Sequence, residues 1–151
     1  MASADPTAGM KVILVPADGS RASMRAVALA CSIARRNKGK VYVVHVIEVK
    51  RALPLDAELE PEAGEGERIL LQAEKAAHEQ GFEVQGELLQ ARDPGHAVVD
   101  EAVERGVDTI ILGVDYKRAF GEFQLGRVPQ YVLKNAPCLV WICRQPVEER
   151  E

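Results

Sequence analysis

The most constraining feature of this sequence is its alternation of short apolar runs with longer segments of helix length. The runs are rich in β-branched residues, as in KVILVP and KVYVVHVI, and lie at 11–16, 40–47, 83–89, 108–113 and 138–144. Such runs are typical of strands buried on both faces of a parallel sheet. Parallel strands need long crossover connections, and four connections of helix length separate these five runs. The sequence therefore predicts an α/β domain with a parallel sheet of five strands.

The predicted helices are recognised by their periodicity and by their end signals. Residues 20–37 place Val27, Ala30, Cys31 and Ala34 on one helical stripe, and Ser20 can cap the helix start. Further helices are predicted from about Arg68 to Gln80, from Asp93-Pro94 to Arg105, and briefly after Gly126. The acidic, proline-containing segment 48–67 has no clear period and is interpreted as a connection.

Length and charge limit the domain organisation and the partners. A chain of 151 residues fits one domain, which we place at 10–144, after a disordered leader at 1–9 and before a solvated tail at 145–151. A net charge of −4 argues against a general nucleic-acid or anionic-membrane partner. No segment has the ~20 consecutive apolar residues of a membrane span, so direct membrane insertion is not expected.

The three cysteines indicate neither a disulfide framework nor a zinc site. Cys31, Cys138 and Cys143 are odd in number, lie inside apolar segments and form no CxxC pair. We interpret them as buried, unreactive thiols in a reducing cytoplasm.

Several kinds of catalytic and binding chemistry find no matching motif. The residues after the first strand read PADGSRAS rather than GxGxxG, and the GxxxxGK[ST] phosphate loop is absent. His45 is interpreted as a packing residue, and Ser20 as a helix cap rather than a nucleophile, because no activating base is placed beside it. We therefore predict no catalytic residues and no metal site. The simpler interpretation is that the protein is not an enzyme.

Ligands in open α/β sheets bind beyond the carboxyl ends of the strands. Here those ends are Pro16–Ser20, Val46–Glu48, Leu89–Asp93 and the loop from Gly113 onward. That last loop leads through several glycines from a strand to a helix start, which is a common arrangement for binding phosphate.

Segments spread over the whole folded chain resemble the universal stress protein family. They are ILVPADGSRASMRAVALA, VVHVIE, ARDPGHAVVDEA, VDTIILG and LGRVPQYVLKNAPCLVWI. The resemblance implies a sheet of order 3-2-1-4-5 with helices on both faces, of the adenine nucleotide alpha-hydrolase-like kind. It also implies a cytoplasmic, usually dimeric protein of stress response or signalling. Some members of the family bind ATP or AMP and others do not.

The nucleotide-binding members carry G-x2-G-x9-G-[S/T] after the fourth strand. In this chain Gly113 and Gly126 match the first and third glycines, whereas Tyr116 and Arg127 replace the second glycine and the hydroxyl residue. The resemblance also implies further contacts: Pro16, Ala17, Asp18, Val46 and Leu112 around the base and ribose, and Val128 at the phosphate.

Two hypotheses follow from the departures at Tyr116 and Arg127. In the first, Tyr116 fills the phosphate site and Arg127 faces solvent, so the loop is degenerate and ATP binds poorly. In the second, Lys117, Arg118 and Arg127 hold a phosphate through their side chains. We adopt the first, which predicts a non-catalytic stress-response module acting through a protein partner. The alternative is a sensor of ATP, AMP or a cyclic dinucleotide.

The last strand predicts how the chain assembles. In the implied sheet order, residues 138–143 lie at an edge, and a long apolar edge strand without proline or lysine needs to be covered. We therefore predict a homodimer in which these strands of two copies pair antiparallel about a twofold axis.

Overall fold

The computed structural model describes residues 5–116, 118–119 and 121–147. Its main sheet contains the strands β1 (Val12–Pro16), β2 (Lys40–Glu48), β3 (Gln85–Ala91), β4 (Thr109–Val114) and β7 (Leu139–Arg144). All neighbouring strands of this sheet are parallel, and their spatial order is β3-β2-β1-β4-β7. The predicted order 3-2-1-4-5 is thus confirmed, with β7 as the fifth strand of the main sheet.

Helices cover both faces of this sheet. The helices α1 (Arg21–Asn37) and α2 (Glu60–Glu79) pack on one face, where side chains such as Val27 and Ala73 are fully buried. The helices α3 (Pro94–Glu104) and α4 (Arg127–Asn135) pack on the other face through residues such as Val98 and Val132. The central strands are buried between the two layers, which explains their continuous apolar runs.

The starts of α1 and α3 have the predicted caps. The Ser20 hydroxyl accepts a hydrogen bond from the backbone N–H of Ser23 at 3.1 Å. The Asp93 carboxylate accepts from the N–H groups of Gly95 and His96, and Pro94 occupies the first turn. Both caps satisfy backbone donors that a helix start leaves without an intrahelical partner. These hydrogen bonds therefore stabilise the first turns of α1 and α3 at the carboxyl edge of the sheet.

Helix α2 differs from its predicted bounds. It begins at Glu60 rather than near Arg68, so the connection after β2 is shorter than predicted. Two glycines lower the helix propensity of this segment, but Gly66 is buried where a Cβ would stand 2.5 Å from Leu88. Close packing on β3 therefore outweighs propensity, and Pro61 together with the acidic residues of the first turn suits a helix start.

The loop between β4 and α4 contains a small antiparallel hairpin that the sequence pattern did not predict. Its strands are β5 (Arg118–Ala119) and β6 (Glu122–Phe123), joined through Gly121 at a φ of 83°. A glycine adopts this left-handed conformation readily, so the turn suits the sequence.

The predicted leader and tail are described only in part. Residues 5–9 form a turn near the end of α1, where the Asn37 amide donates to the carbonyl oxygens of Thr7 and Met10 at 2.6 and 3.0 Å. Residues 1–4 and 148–151 lie outside the described residues. The division into leader, domain and tail stays a prediction.

The three cysteines are free thiols of unequal burial. Cys31 is fully buried in α1, and its burial raises the pKa of the thiol to about 12. Cys138 and Cys143 are only half-buried, although burial raises the pKa of both thiols. The predicted full burial therefore holds for Cys31 alone.

Within the described residues, none of the helices combines the length and the apolar character needed to cross a bilayer.

Candidate functional site

A cleft of about 130 Å³ opens at the carboxyl edge of the main sheet. The ends of β1, β2 and β4 form its floor, and the first turns of α3 and α4 form one wall. Its lining comprises Pro16, Ala17, Asp18, Val44, His45, Val46, Pro94, Val98, Leu112, Gly113, Val128 and Pro129. The cleft thus lies where open α/β sheets bind ligands.

The inner part of the cleft is apolar and rigid. Val44 and Val98 are 1% exposed and Leu112 is 4% exposed, since all three also belong to the core between the sheet and α3. Apolar walls held in place by the core suit a flat aromatic ligand better than a hydrated ion.

His45 fixes the backbone beside the cleft. Its Nδ1 lies 2.8 Å from the carbonyl oxygen of Ala17, so Nδ1 carries the proton and donates it. The backbone N–H of Ala17 in turn donates to the carbonyl oxygen of Val44 at 2.8 Å. These bonds join the segment after β1 to β2, so His45 has a structural role at the lining of the cleft.

Asp18 is the acidic group at the rim of the cleft. It is exposed, and one of its carboxylate oxygens accepts a hydrogen bond from the N–H of Ser20 at 2.9 Å. Ser20 is itself engaged as the cap of α1, which leaves it poorly placed to act as a nucleophile. A carboxylate held in this way is a suitable acceptor for the hydroxyl groups of a sugar.

The start of α4 presents backbone donors near the cleft. Gly126 precedes the helix with a φ of −67°, and no side chain at this position caps the first turn. A Cβ on Gly126 would meet only the Pro129 ring, at 3.7 Å. Neither backbone strain nor packing therefore requires glycine here. The uncapped N–H groups of Arg127 and Val128 are typical of an anion-binding helix start.

Tyr116 lies away from the cleft. Its ring stacks on Phe123 of the hairpin, with centroids 5.5 Å apart, and the Arg144 guanidinium lies 4.7 Å from its centroid. The structure therefore does not bring Tyr116 together with the other predicted site residues, and its ring does not line the cleft. Seven of the ten predicted residues do line it: Pro16, Ala17, Asp18, Val46, Leu112, Gly113 and Val128.

Arg127 lies beside the cleft in a neighbouring hollow. Its side chain is 85% exposed and its guanidinium lies 3.4 Å from a carboxylate oxygen of Glu48. The hollow, of about 230 Å³, is also lined by Asp93, Gly95 and Tyr131. Of the other two basic residues considered as phosphate ligands, Lys117 lies outside the described residues and Arg118 begins β5.

Sequence reasoning predicted Val128 but missed the other lining residues that α3 and α4 contribute. Pro94, Val98 and Pro129 complete the wall of the cleft, and Glu48 reaches Arg127 across 79 positions of sequence. The Asp93-Pro94 helix start was a usable signal, since it follows the carboxyl end of β3. Nothing in the sequence around Glu48 indicates its partner.

The described residues offer little for metal chemistry. Among them, no group of three or more His, Cys, Asp or Glu side chains is arranged to hold a metal ion.

Comparison with known proteins agrees with the fold and identifies the family. Residues 9–144 match the model of the Universal stress protein family. A universal stress protein of Methanocaldococcus jannaschii is 32% identical over 145 residues, covering 92% of this chain and 85% of that protein.

Solved structures share the same architecture. A universal stress protein in complex with cAMP has a TM-score of 0.70 at 23% identity, covering 89% of this chain and 97% of its own. A universal stress protein of Archaeoglobus fulgidus in complex with dAMP also has a TM-score of 0.70, at 22% identity, with coverages of 88% and 96%. The family match over nearly the whole chain, together with this relative and this shared fold, shows that the chain belongs to the universal stress protein family.

Proposed function

We propose that this chain binds an adenine mononucleotide such as AMP in the cleft and acts as a non-catalytic stress-response or signalling module. The observation that carries the proposal is the continuity of an apolar cleft with the uncapped start of α4. The cleft and this helix start share Val128, which lines the cleft and stands in the first turn of α4. A nucleotide has the same two parts, an aromatic base and an anionic phosphate.

The apolar part of the cleft would hold the base. Pro16, Val46 and Leu112 come from the ends of three adjacent strands and present aliphatic surface to the cavity. Contact of such surfaces with the faces of a purine removes apolar area from water, which favours binding. Asp18 at the rim would accept hydrogen bonds from ribose hydroxyls.

The phosphate would lie at the start of α4. Gly126 leaves room there. The backbone N–H groups of Arg127 and Val128 and the Arg127 guanidinium supply hydrogen-bond donors whose positive charge is opposite to that of the phosphate. The complexes of family members with cAMP and with dAMP support an adenine ligand of low phosphate number.

The proposal includes a homodimer and a cytoplasmic location. Strand β7 is an edge of the main sheet, and Leu139 on it is 46% exposed. Antiparallel pairing of two copies of β7 would cover both the unpaired backbone groups and the apolar side chains. The free thiols are consistent with a reducing compartment.

A second function, binding of a protein partner without nucleotide, is favoured by the contact between Arg127 and Glu48. In the structure the guanidinium is already paired with a carboxylate. If this pair persists, Arg127 contributes nothing to phosphate binding, although the sequence-based hypothesis of a degenerate loop had Arg127 facing solvent and Tyr116 filling the site.

Calorimetric titration with AMP separates the two functions. We expect the parent protein to bind AMP, and Arg127→Glu to lower the affinity by roughly tenfold or more because it replaces a cation near the phosphate with an anion. The control is Lys134→Glu at the far end of α4, which makes the same charge change away from the cleft. Absence of AMP binding by the parent, with no adenine absorbance released on heating, would favour the partner-only function.

A further inference from the structure

The mouth of the cleft is flanked by two hollows that differ in charge, of which one has both a cation and a carboxylate and the other has carboxylates. The hollow at the start of α4 contains Arg127 and joins the cleft through Pro94 and Val128. On the other side lies a hollow of about 360 Å³, which joins the cleft through His45 and Val46. Its acidic lining residues are Glu48, Glu62 and Glu65. A ligand in the cleft therefore has the Arg127 cation and the Asp93 carboxylate on one side and a group of three carboxylates on the other.

Glu48 and Arg127 connect the two sides. Glu48 is the last residue of β2, Arg127 is the first residue of α4, and their side chains approach to 3.4 Å. Both side chains are largely exposed, at 50% and 85%. An exposed ion pair of this kind is weak, so Arg127 can exchange the carboxylate for another anion.

Arg68 modifies the charge of the acidic side. The Arg68 guanidinium donates to the Glu65 carboxylate, and this hydrogen bond lowers the pKa of Glu65 below its ordinary value. Glu65 therefore stays ionised, although Arg68 offsets much of its charge. Glu48 is the acidic residue of this hollow whose side chain approaches Arg127.

We propose that Glu48 is a specificity-determining residue that selects adenine ligands by their phosphate charge, favouring a monophosphate over a triphosphate. The proposal rests on the adenine-nucleotide function proposed above and names the ligand class of that same site. Glu48 acts in two ways. It competes with a phosphate for Arg127, and its own negative charge repels the ligand.

The two effects differ in their dependence on the ligand. Competition for Arg127 lowers the affinity of every phosphorylated ligand by the same factor, because each ligand must displace the same carboxylate. Repulsion grows with the charge of the ligand, so it penalises ATP, with a charge of about −4, more than AMP, with about −2. Removing the charge of Glu48 should therefore raise the affinity for both ligands, and the affinity for ATP should rise more than the affinity for AMP.

The test compares adenosine, AMP and ATP by calorimetry on the parent and on Glu48→Gln. We expect Glu48→Gln to raise AMP affinity about threefold and ATP affinity about tenfold, and to leave adenosine unchanged, because adenosine carries no phosphate. These gains should shrink in 0.5 M salt, which screens exposed charges. The matched control is Glu74→Gln, the same substitution at an exposed position of α2 that does not line the cleft or its flanking hollows.

The outcomes distinguish this proposal from the function on which it rests. If the parent binds AMP but Glu48→Gln leaves the ratio of ATP to AMP affinity unchanged, the role of Glu48 is wrong and the nucleotide function stands. An equal gain for Glu74→Gln would also reject it, since net charge alone would then explain the effect. If neither the parent nor Glu48→Gln binds any of the three ligands, both proposals fail.

Discussion

A Cβ placed on Gly113 would stand 2.0 Å from the carbonyl oxygen of Ala22, so β4 and α1 meet backbone to backbone at the cleft. We predict that Gly113→Ala destabilises the protein by about 3 kcal/mol, because the two elements must separate to admit the methyl group. Denaturant unfolding followed by circular dichroism measures this loss.

Gly126→Ala is the matched comparison for Gly113→Ala. A Cβ on Gly126 has only an ordinary contact, and its φ of −67° suits alanine, so we expect stability within about 0.5 kcal/mol of the parent. AMP affinity should nevertheless fall, because the methyl group obstructs the approach of a phosphate to the start of α4. Unchanged AMP affinity would place the phosphate elsewhere.

Asp108 is predicted to be a major stabilising residue at the opposite edge of the sheet. Its carboxylate accepts hydrogen bonds from the N–H groups of Lys11 and Val12, the latter at 2.9 Å, and from the Thr109 hydroxyl at 2.8 Å. Asp108→Ala leaves these donors without that acceptor and should cost about 2–3 kcal/mol, measured by urea unfolding. Asp56→Ala, in an exposed loop, serves as the control and should change stability little.

Cys31 is predicted to be unreactive in the folded protein. Its pKa of about 12 keeps the thiol protonated at pH 8, and the side chain is fully buried. Titration with a thiol reagent should label Cys138 and Cys143 first, and Cys31 only in denaturant. The double variant Cys138→Ser/Cys143→Ser isolates the Cys31 signal, and rapid labelling of this folded variant would contradict the prediction.

The same thiol makes stability depend on alkaline pH. Because the pKa is raised from 9.0 to about 12 on folding, the folded state retains a proton that the unfolded chain loses. This contribution is complete below about pH 9 and is lost as the pH rises toward 12. Cys31→Ala should therefore flatten the decline of stability between these pH values, as followed by urea unfolding.

Tyr116 is predicted to influence the loop rather than the base site. Because its ring packs on Phe123 and Arg144, Tyr116→Gly should leave AMP affinity within about twofold of the parent. Calorimetry measures this directly, with Phe123→Ala as a second variant that removes the same stack. A large loss of AMP binding in Tyr116→Gly alone would place the tyrosine at the ligand.

The dimer is tested most directly at Leu139. This residue is 46% exposed on the edge strand, so Leu139→Glu should dissociate the dimer without disturbing the core. Leu71→Glu, at a 63% exposed position of α2, is the matched control. Sedimentation at micromolar concentration should show a dimer for the parent and the control and a monomer for Leu139→Glu. A monomeric parent would reject the dimer.

The sheet was predictable from sequence because buried parallel strands need continuous apolar runs, and few other structures do. The start of α2 was not predictable from sequence. The low helix propensity of Gly66 is outweighed there by close packing on Leu88, which is visible only in the three-dimensional structure. Motif spacing also failed at Tyr116. It counts residues along the loop, whereas the hairpin carries the ring toward Arg144. Pro16 and Leu112, which the family resemblance implied, line the cleft because they lie at or near strand ends whose positions the sheet fixes.

The alternation of side chains along β7 limits how two copies could join. Trp141 and Cys143 pack toward α1 and α2, whereas Val140 and Ile142 pack toward the opposite layer. A twofold axis normal to a continuous antiparallel sheet keeps each face on its own side, so any two residues directly opposite must both be odd-numbered or both even-numbered. The axis must then lie between the two copies of a single residue. It cannot lie at the midpoint of 138–143, which falls between Val140 and Trp141. Whichever residue occupies that axis faces its own copy, so a single substitution there would alter both sides of the central contact at once.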